Sequence, residues 1–392
     1  MRVVLVLWIC GLVFGGAVCP GIDTQTSGSS PSIWYTNYRI TSVPWSIHVV
    51  QMQRNNPVYQ IQSVHAKGSA IGLETLSEQL ARIDSARGVS VAGVNGDFYQ
   101  RDKAFAGAPR GLQIVNGELI SAPCGGASFW TDALGQYHMT NVASRFQITW
   151  PGGTTTEFGL NGERQADRLE LYSPAIGVST HMAGGRELVL ARTDGSRWLP
   201  LRIGQTYVAR VEQIHEGGNT PVPAEGMVLS LGPKLLAKLP TVQTGSVLRI
   251  STESTPALRG VRMAISGGPI LIVGGNRQKT RSMSSEAYEF SSMLERHPRS
   301  AIGWNEHSFF LVEVDGRQKG LSVGMTLDEL SKFLIDLGCE EALNLDGGGS
   351  ATLWYEGQVQ NNPCDRAERE IANAIVVLKR AASGTGDAED RH

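Results

Sequence analysis

Two distant stretches of this chain follow one pattern: a capped helix, a short apolar strand, then an acid beside glycines. In the first, Thr75 and Glu78 make a capping box, Leu76, Leu80 and Ile83 recur at helical spacing, and Gly88 marks the stop. Val89 to Val94 then reads as a buried strand that empties into Asn95-Gly96-Asp97-Phe98-Tyr99. In the second, Thr326 and Glu329 make the box, Leu327, Leu330, Leu334 and Leu337 share a face, and Gly338 ends the helix. Ala342 to Leu345 follows as a strand and empties into Asp346-Gly347-Gly348-Gly349-Ser350. Each unit therefore delivers a carboxylate to the end of a buried strand. The two sequences differ too much to establish a duplication.

Between these units, roughly Ser128 to Glu253, the chain reads as short strands and turns. Examples are Glu187 to Leu190 before Asp194-Gly195, and Val247 to Ile250 after Thr244-Gly245. Met263 to Ser266, Ile270 to Val273, Phe309 to Val314 and Ile371 to Leu378 add further strands. The fold class expected is α+β: mixed β-sheets with a few packed helices and a β-rich insertion at about 128–253. The 46 glycines fit a chain of turns and close backbone approaches better than one of long helices.

The ends speak to compartment. Arg2 precedes a short apolar run, Val3 to Val18, closed by Gly15-Gly16-Ala17, which reads as an export signal over residues 1–18. Cys19 would allow lipid attachment, although Val18 is a poor residue to precede such a site; a retained membrane anchor is the other reading. The mature chain is expected in the periplasm or outside the cell, with no membrane span. Residues 19–33, with the polar run Thr24 to Ser32, read as a flexible tether, 34–380 as one domain, and 381–392 as a disordered tail. In an oxidising compartment one disulfide among Cys124, Cys339 and Cys364 is expected, with the pair left open. A net charge of -2 and the lack of a basic stripe exclude nucleic acid as the natural partner.

Several residues suit chemistry. Three consecutive glycines, Gly347, Gly348 and Gly349, can present backbone N–H groups to an anion, with Asp346 at the entrance and Ser350 at the exit; a tight structural turn is the bland alternative. Asn95-Gly96-Asp97 alone is most often a turn, while Phe98 offers an aromatic face that could stack on a sugar or sit in the core. Gly267 and Gly268, in Ser266-Gly267-Gly268-Pro269, allow a ligand close to the backbone or simply turn the chain. Arg299, in His297-Pro298-Arg299-Ser300, suits a phosphate or carboxylate clamp, against a surface ion pair. Asp315-Gly316-Arg317 reads locally as a hairpin turn, and Asp365 to Arg369 as a charged loop.

Taken together and in order, these motifs resemble the phosphodiester glycosidase family. The resemblance is carried by Asn95 to Tyr99, Gly111 to Ile114, Ser266 to Pro269, His297 to Gly303, Asp315 to Gln318, Gly324 to Thr326, Asn344 to Ser350, Glu368-Arg369 and Ala372 to Ala374. It runs from about Pro44 to Lys379 and is strongest after Met263. It implies an extracytoplasmic hydrolase of sugar-1-phosphodiesters on a glycan or polysaccharide, with Asn95, Asp97, Arg299, Asp346, Gly347, Gly348, Ser350 and Arg369 at the site. Glu370 stands where the bacterial pattern usually has proline, and Cys364 where serine is common; these departures bear on substrate detail.

The residues make physical sense of that reaction. If the C1–O bond breaks, a phosphomonoester with a second pKa of about 6 leaves without much help from an acid. The larger tasks are holding its charge and stabilising an oxocarbenium-like sugar. Arg299, Arg369 and the glycine amides are the expected phosphate ligands, and Asp346 and Asp97 the candidate carboxylates. Three rival readings stand beside this one. A phosphodiesterase would break P–O instead, and Asp97, Asn344 and Asp346 are oxygen donors that suit calcium or magnesium. A non-catalytic glycan-binding protein of exopolysaccharide assembly would need neither the acids nor the arginines.

Overall fold

In the computed structural model, which describes residues 22–68, 70–101, 103–193, 198–279 and 294–381, both capping boxes form. The Thr75 hydroxyl accepts from Glu78 N while the Glu78 carboxylate accepts from Thr75 N, and Thr326 and Glu329 repeat the exchange. Each cap contributes about 1 kcal/mol. The first helix, Leu76–Ala81, is shorter than expected: it ends at Arg82, and Gly88 instead closes a separate turn, Ser85–Arg87. The second runs Leu327–Asp336 and ends at Leu337.

The rest is dominated by strands. Among the described residues there are two α-helices against three sheets, so the architecture is more strongly β than the expected α+β balance. A five-stranded sheet holds Val89–Asn95 between Leu353–Tyr355 and Asn373–Lys379, and an eight-stranded sheet holds Arg299–Trp304 between Ser308–Val314 and Glu341–Asn344. These two sheets face each other. Val94, Ile375 and Val377 of the first pack with Val50, Ile302 and Leu311 of the second. The helices cover the outer faces: Leu76 and Leu80 pack on Val376 and Leu378, and Leu327, Leu330 and Leu334 on Phe310 and Val312. Truncating a buried leucine such as Leu330 to alanine costs about 2–5 kcal/mol.

The expected insertion is a barrel. Within an eleven-stranded sheet, Tyr137–Thr149 and Thr155–Leu160 pair with each other as well as with opposite ends of a run of strands, closing a ring of seven. Its interior is filled by Phe146, Trp150, Phe158, Leu188, Val211 and Leu248, so it is a packed core rather than a pore. The same sheet continues through Cys124–Thr131 to Met263–Ser266 and reaches the sandwich, where Phe129 and Ile265 join the core between the other two sheets.

Residues 24–32, expected as a tether, contribute instead to an edge strand. Ile22–Ser30 pairs antiparallel with Ile33–Ile40 from Ile22 opposite Ile40 to Ser30 opposite Ile33. Its polar composition is compatible with this because an edge strand is held by main-chain hydrogen bonds while its side chains face water. The export signal, Cys10, Cys19 and the tail 382–392 lie outside the described residues. Among the described residues no helix is long and apolar enough to cross a membrane. Cys124, Cys339 and Cys364 are all free, correcting the expected disulfide: Cys339 is buried against the second helix, Cys124 is exposed, and Cys364 lies partly exposed on a loop.

Candidate active site

One strand from each sheet ends at the same place. Val89–Asn95 comes from the five-stranded sheet, Glu341–Asn344 from the eight-stranded and Met263–Ser266 from the eleven-stranded. Asn95 joins the first two: its Nδ2 donates to Asp346 O at 2.6 Å, and its Oδ1 accepts from Ser300 Oγ at 2.6 Å and Thr352 N at 3.1 Å. Asp346 N returns a hydrogen bond to Gly96 O at 2.9 Å. The third strand end is locked in by Gly268 N donating to Asn344 O at 2.7 Å and Asn344 Nδ2 donating to Gly268 O at 2.7 Å. The two acid-and-glycine turns, 251 residues apart at Asn95 and Asp346, are thus one structure.

The two carboxylates differ in environment. Asp97 is 4% exposed; its Oδ2 accepts from Gly111 N at 2.9 Å, and its own N–H donates to Asn373 Oδ1 at 2.8 Å. Burial pushes its pKa up to about 7, against the lowering effect of the Gly111 and Phe98 amides, with the nearby Asp346 charge pushing the same way as burial. Asp346 is partly exposed and accepts from Gly347 N at 2.9 Å. Desolvation raises it to about 6; the Ser350 hydroxyl, the Gly347 amide and the charges of Arg369 and Arg101 hold it below Asp97. Burial thus raises both carboxylates, and Asp346 is the more accessible of the two.

Two of the three glycines let an arginine side chain approach closely, and the third lies against backbone. A Cβ on Gly349 would overlap Arg369 Nη2 and Asp365 Oδ2, and one on Gly348 (φ +62°) would sit 3.2 Å from Arg317 Nη2. On Gly347 it would lie 2.6 Å from Pro298 O. The Gly347 and Gly348 amides are already engaged, by Asp346 Oδ1 and Pro298 O, so they do not form the open anion cradle expected from the sequence. Arg369 is steadied by Asp365, with Nε donating at 3.0 Å. Arg299, expected as a clamp, is buried with Nε donating to Met325 O at 2.8 Å and Nη2 to Glu295 O at 2.7 Å. Burial, reinforced by the neighbouring Arg317 charge, lowers its pKa to about 10.

Other expected site residues take structural places. Gly267 passes so close to Asn344 O (2.5 Å from an added Cβ) that it is needed for packing of the two turns. The Phe98 ring packs partly buried against the core beside the second helix. Ser350 is buried, with its hydroxyl on Asp346 and on the Tyr99 phenol, whose own O–H donates to Glu370 O at 2.9 Å. Of the oxygen-donor set Asp97, Asn344 and Asp346, each acid gives one carboxylate oxygen to backbone, at Gly111 N and Gly347 N, whereas Asn344 Oδ1 is buried with no hydrogen-bond partner.

Three groups at this site were not singled out from the sequence. Arg101, exposed two residues beyond Tyr99, acts electrostatically on Asp346. Arg317 has φ +58° and hydrogen-bonds His297 Nδ1 at 3.2 Å while lying over Gly348. Cys124 lies close enough to Asp97 for that carboxylate to act on its thiol electrostatically. The motif Asp315-Gly316-Arg317 carried a signal in its family resemblance, but its local pattern reads only as a turn. Arg101 and Cys124 have no local signal at all.

Parts of this chain are similar to known proteins. Residues 205–378 match the sequence model of the family described as phosphodiester glycosidase. The N-acetylglucosamine-1-phosphodiester alpha-N-acetylglucosaminidase of Mus musculus is 30% identical over 148 residues, 33% of this chain and 28% of that protein. The SPbeta prophage-derived uncharacterized protein YomE of Bacillus subtilis is 30% identical over 120 residues, 30% of this chain and 18% of that protein. The chain thus matches less than a third of the length of either relative. A solved hypothetical protein from Synechocystis shares the fold, with a TM-score of 0.73 at 21% identity over 92% of this chain and 64% of that one. Over residues 205–378, this chain is thus similar to the phosphodiester glycosidase family.

Proposed function

We propose that this protein is an exported hydrolase that cleaves the C1–O bond of a sugar-1-phosphodiester, releasing the sugar and a phosphomonoester, with a glycan or polysaccharide as the source of substrate. The observation that carries this reading is the pairing of one partly exposed carboxylate, Asp346, with guanidinium groups laid over the adjoining glycines. Arg369 and Arg317 hold the departing phosphate, and Arg101 adds positive potential at the mouth. The phosphate leaves as a stable anion, so no strong acid is required. Asp346 faces the sugar carbon, stabilises its developing positive charge, and either attacks it or activates water. Asp97, near enough to Asp346 to feel its charge, holds the neighbouring backbone through Gly111 N. Arg299 holds the backbone carbonyls of Met325 and Glu295. Export rests on the apolar N-terminal run and its small-residue end.

A panel of sugar-1-phosphodiesters differing in sugar and aglycone tests the reading. Turnover of at least one member by the wild type, abolished in Asp346→Asn, supports it. Glycan binding with no turnover across the panel replaces it with the binding-protein reading.

A further inference from the structure

Beneath the site is a buried group that the proposed reaction does not use. Strand Ser308–Val314 runs beside Trp45–Gln53 with Glu313 opposite His48, and Asp315 follows two residues on. His48, Glu313 and Asp315 each place one potential ligand atom within 4.8 Å of the others, and they are the one such group of three among the described residues. All three are buried, none more than 2% exposed.

Their hydrogen bonding is uneven. Asp315 accepts from Asn362 N at 2.7 Å and Asn362 Nδ2 at 3.3 Å, and lies 2.9 Å from His48 Nε2. Glu313 has neither carboxylate oxygen in a hydrogen bond, although the Asn361 amide is near enough to offset part of its burial. Two carboxylates and one imidazole in a low-dielectric interior leave uncompensated negative charge, which is expensive without a proton or a cation. Protonating Glu313 removes the charge but leaves a buried hydroxyl still in need of an acceptor. A cation answers both needs. The other ring nitrogen of His48 is held by the Tyr35 hydroxyl at 2.6 Å, the kind of outer support that fixes the ring of a metal-ligating histidine.

We infer that His48, Glu313 and Asp315 form an internal binding site for a divalent transition metal ion. One imidazole nitrogen and two carboxylates suit zinc best and manganese next, whereas calcium prefers more oxygen ligands. The ion would act at a distance from the chemistry. Through Asp315 and Asn362 it holds the loop that carries Asp365, and Asp365 holds Arg369 over the glycine turn.

The test is the metal content of the full wild-type chain purified from zinc- and manganese-replete medium, with anomalous diffraction at the metal edge. The expected result is about one tightly held ion per chain, with an anomalous peak between His48 and Glu313. Glu313→Gln is expected to lower the content at least about tenfold. Wild-type protein with only trace metal overturns the inference, as does Glu313→Gln protein with undiminished content. If that variant does not fold, the wild-type anomalous map alone decides: a peak at the three residues supports the site and a blank map overturns it. Because the proposed hydrolysis does not pass through this ion, a panel with no turnover leaves the metal result independent.

Discussion

The side-chain amide of Asn95 donates to the backbone carbonyl of Asp346 at 2.6 Å, joining the last residue of a strand in one sheet to the turn that leaves another. Its carbonyl oxygen collects two further donors, Ser300 Oγ and Thr352 N. Asn95→Ala is expected to leave three buried groups unpaired and to cost about 1–3 kcal/mol for each that finds no water. Because the turn carrying Asp346 loses its anchor, kcat should fall more than KM rises; thermal unfolding and steady-state kinetics together check this.

Asp346→Asn keeps the shape of the turn while removing the charge. We expect kcat to fall by about 10³-fold with substrate binding retained, the size expected for losing an essential carboxylate. Binding of a non-hydrolysable analogue by calorimetry, beside turnover, separates the two effects.

The arginines should divide into two kinds. Arg369→Ala and Arg317→Ala are each expected to lower kcat/KM by about 10²–10³-fold with little change in Tm, as they face the proposed phosphate. Arg299→Ala should lower Tm, because Arg299 N–H groups serve the carbonyls of Met325 and Glu295. Equal Tm losses for all three would contradict this division.

Gly349→Ala is a sharper probe of the turn. An added methyl would occupy the space of Arg369 Nη2 and Asp365 Oδ2, so the guanidinium and the carboxylate that steadies it must both move. Activity should drop as far as in Arg369→Ala, and the double variant should be no worse than either single one.

The raised carboxylates predict a pH dependence of both rate and stability. The kcat/KM profile should rise with pH through about 6 as Asp346 ionises. Asp97→Asn should leave that limb near its place if Asp97 is a positioning group; loss of all activity would make it the reacting carboxylate. For stability the sign is the reverse of the usual acid effect. Folded pKa values of about 7 and 6 lie above the unfolded carboxylate value of 3.8, so burial of these groups costs nothing below that value. Their contribution is lost as pH rises through 6 and 7, and Asp97→Asn should stabilise the protein at pH 8 but not at pH 4.

Much of the frame could be read locally because local chemistry fixes it. Thr75 with Glu78 and Thr326 with Glu329 cap helices wherever those helices end up, and Val89 to Val94 is apolar enough to be a strand in any sheet. Closure of the barrel was not legible, since it depends on Thr155–Leu160 finding both Leu169–Tyr172 and Tyr137–Thr149. Nor was the edge strand Ile22–Ser30, whose composition is that of a linker and whose order comes from its neighbour's main chain. The two strand ends that carry Asp97 and Asp346 were legible from their motifs, although that they meet was not. The places of Arg101 near Asp346 and of Arg317 over Gly348 were not legible either, because an arginine in an exposed turn acquires meaning only from what the fold brings opposite it.

The central claim, that the bond broken is C1–O, is tested most directly by hydrolysis in oxygen-18 water with mass analysis of both products. The account predicts label in the C1 hydroxyl of the released sugar and none in the phosphomonoester. Label in the phosphate would contradict it and make the protein a phosphodiesterase.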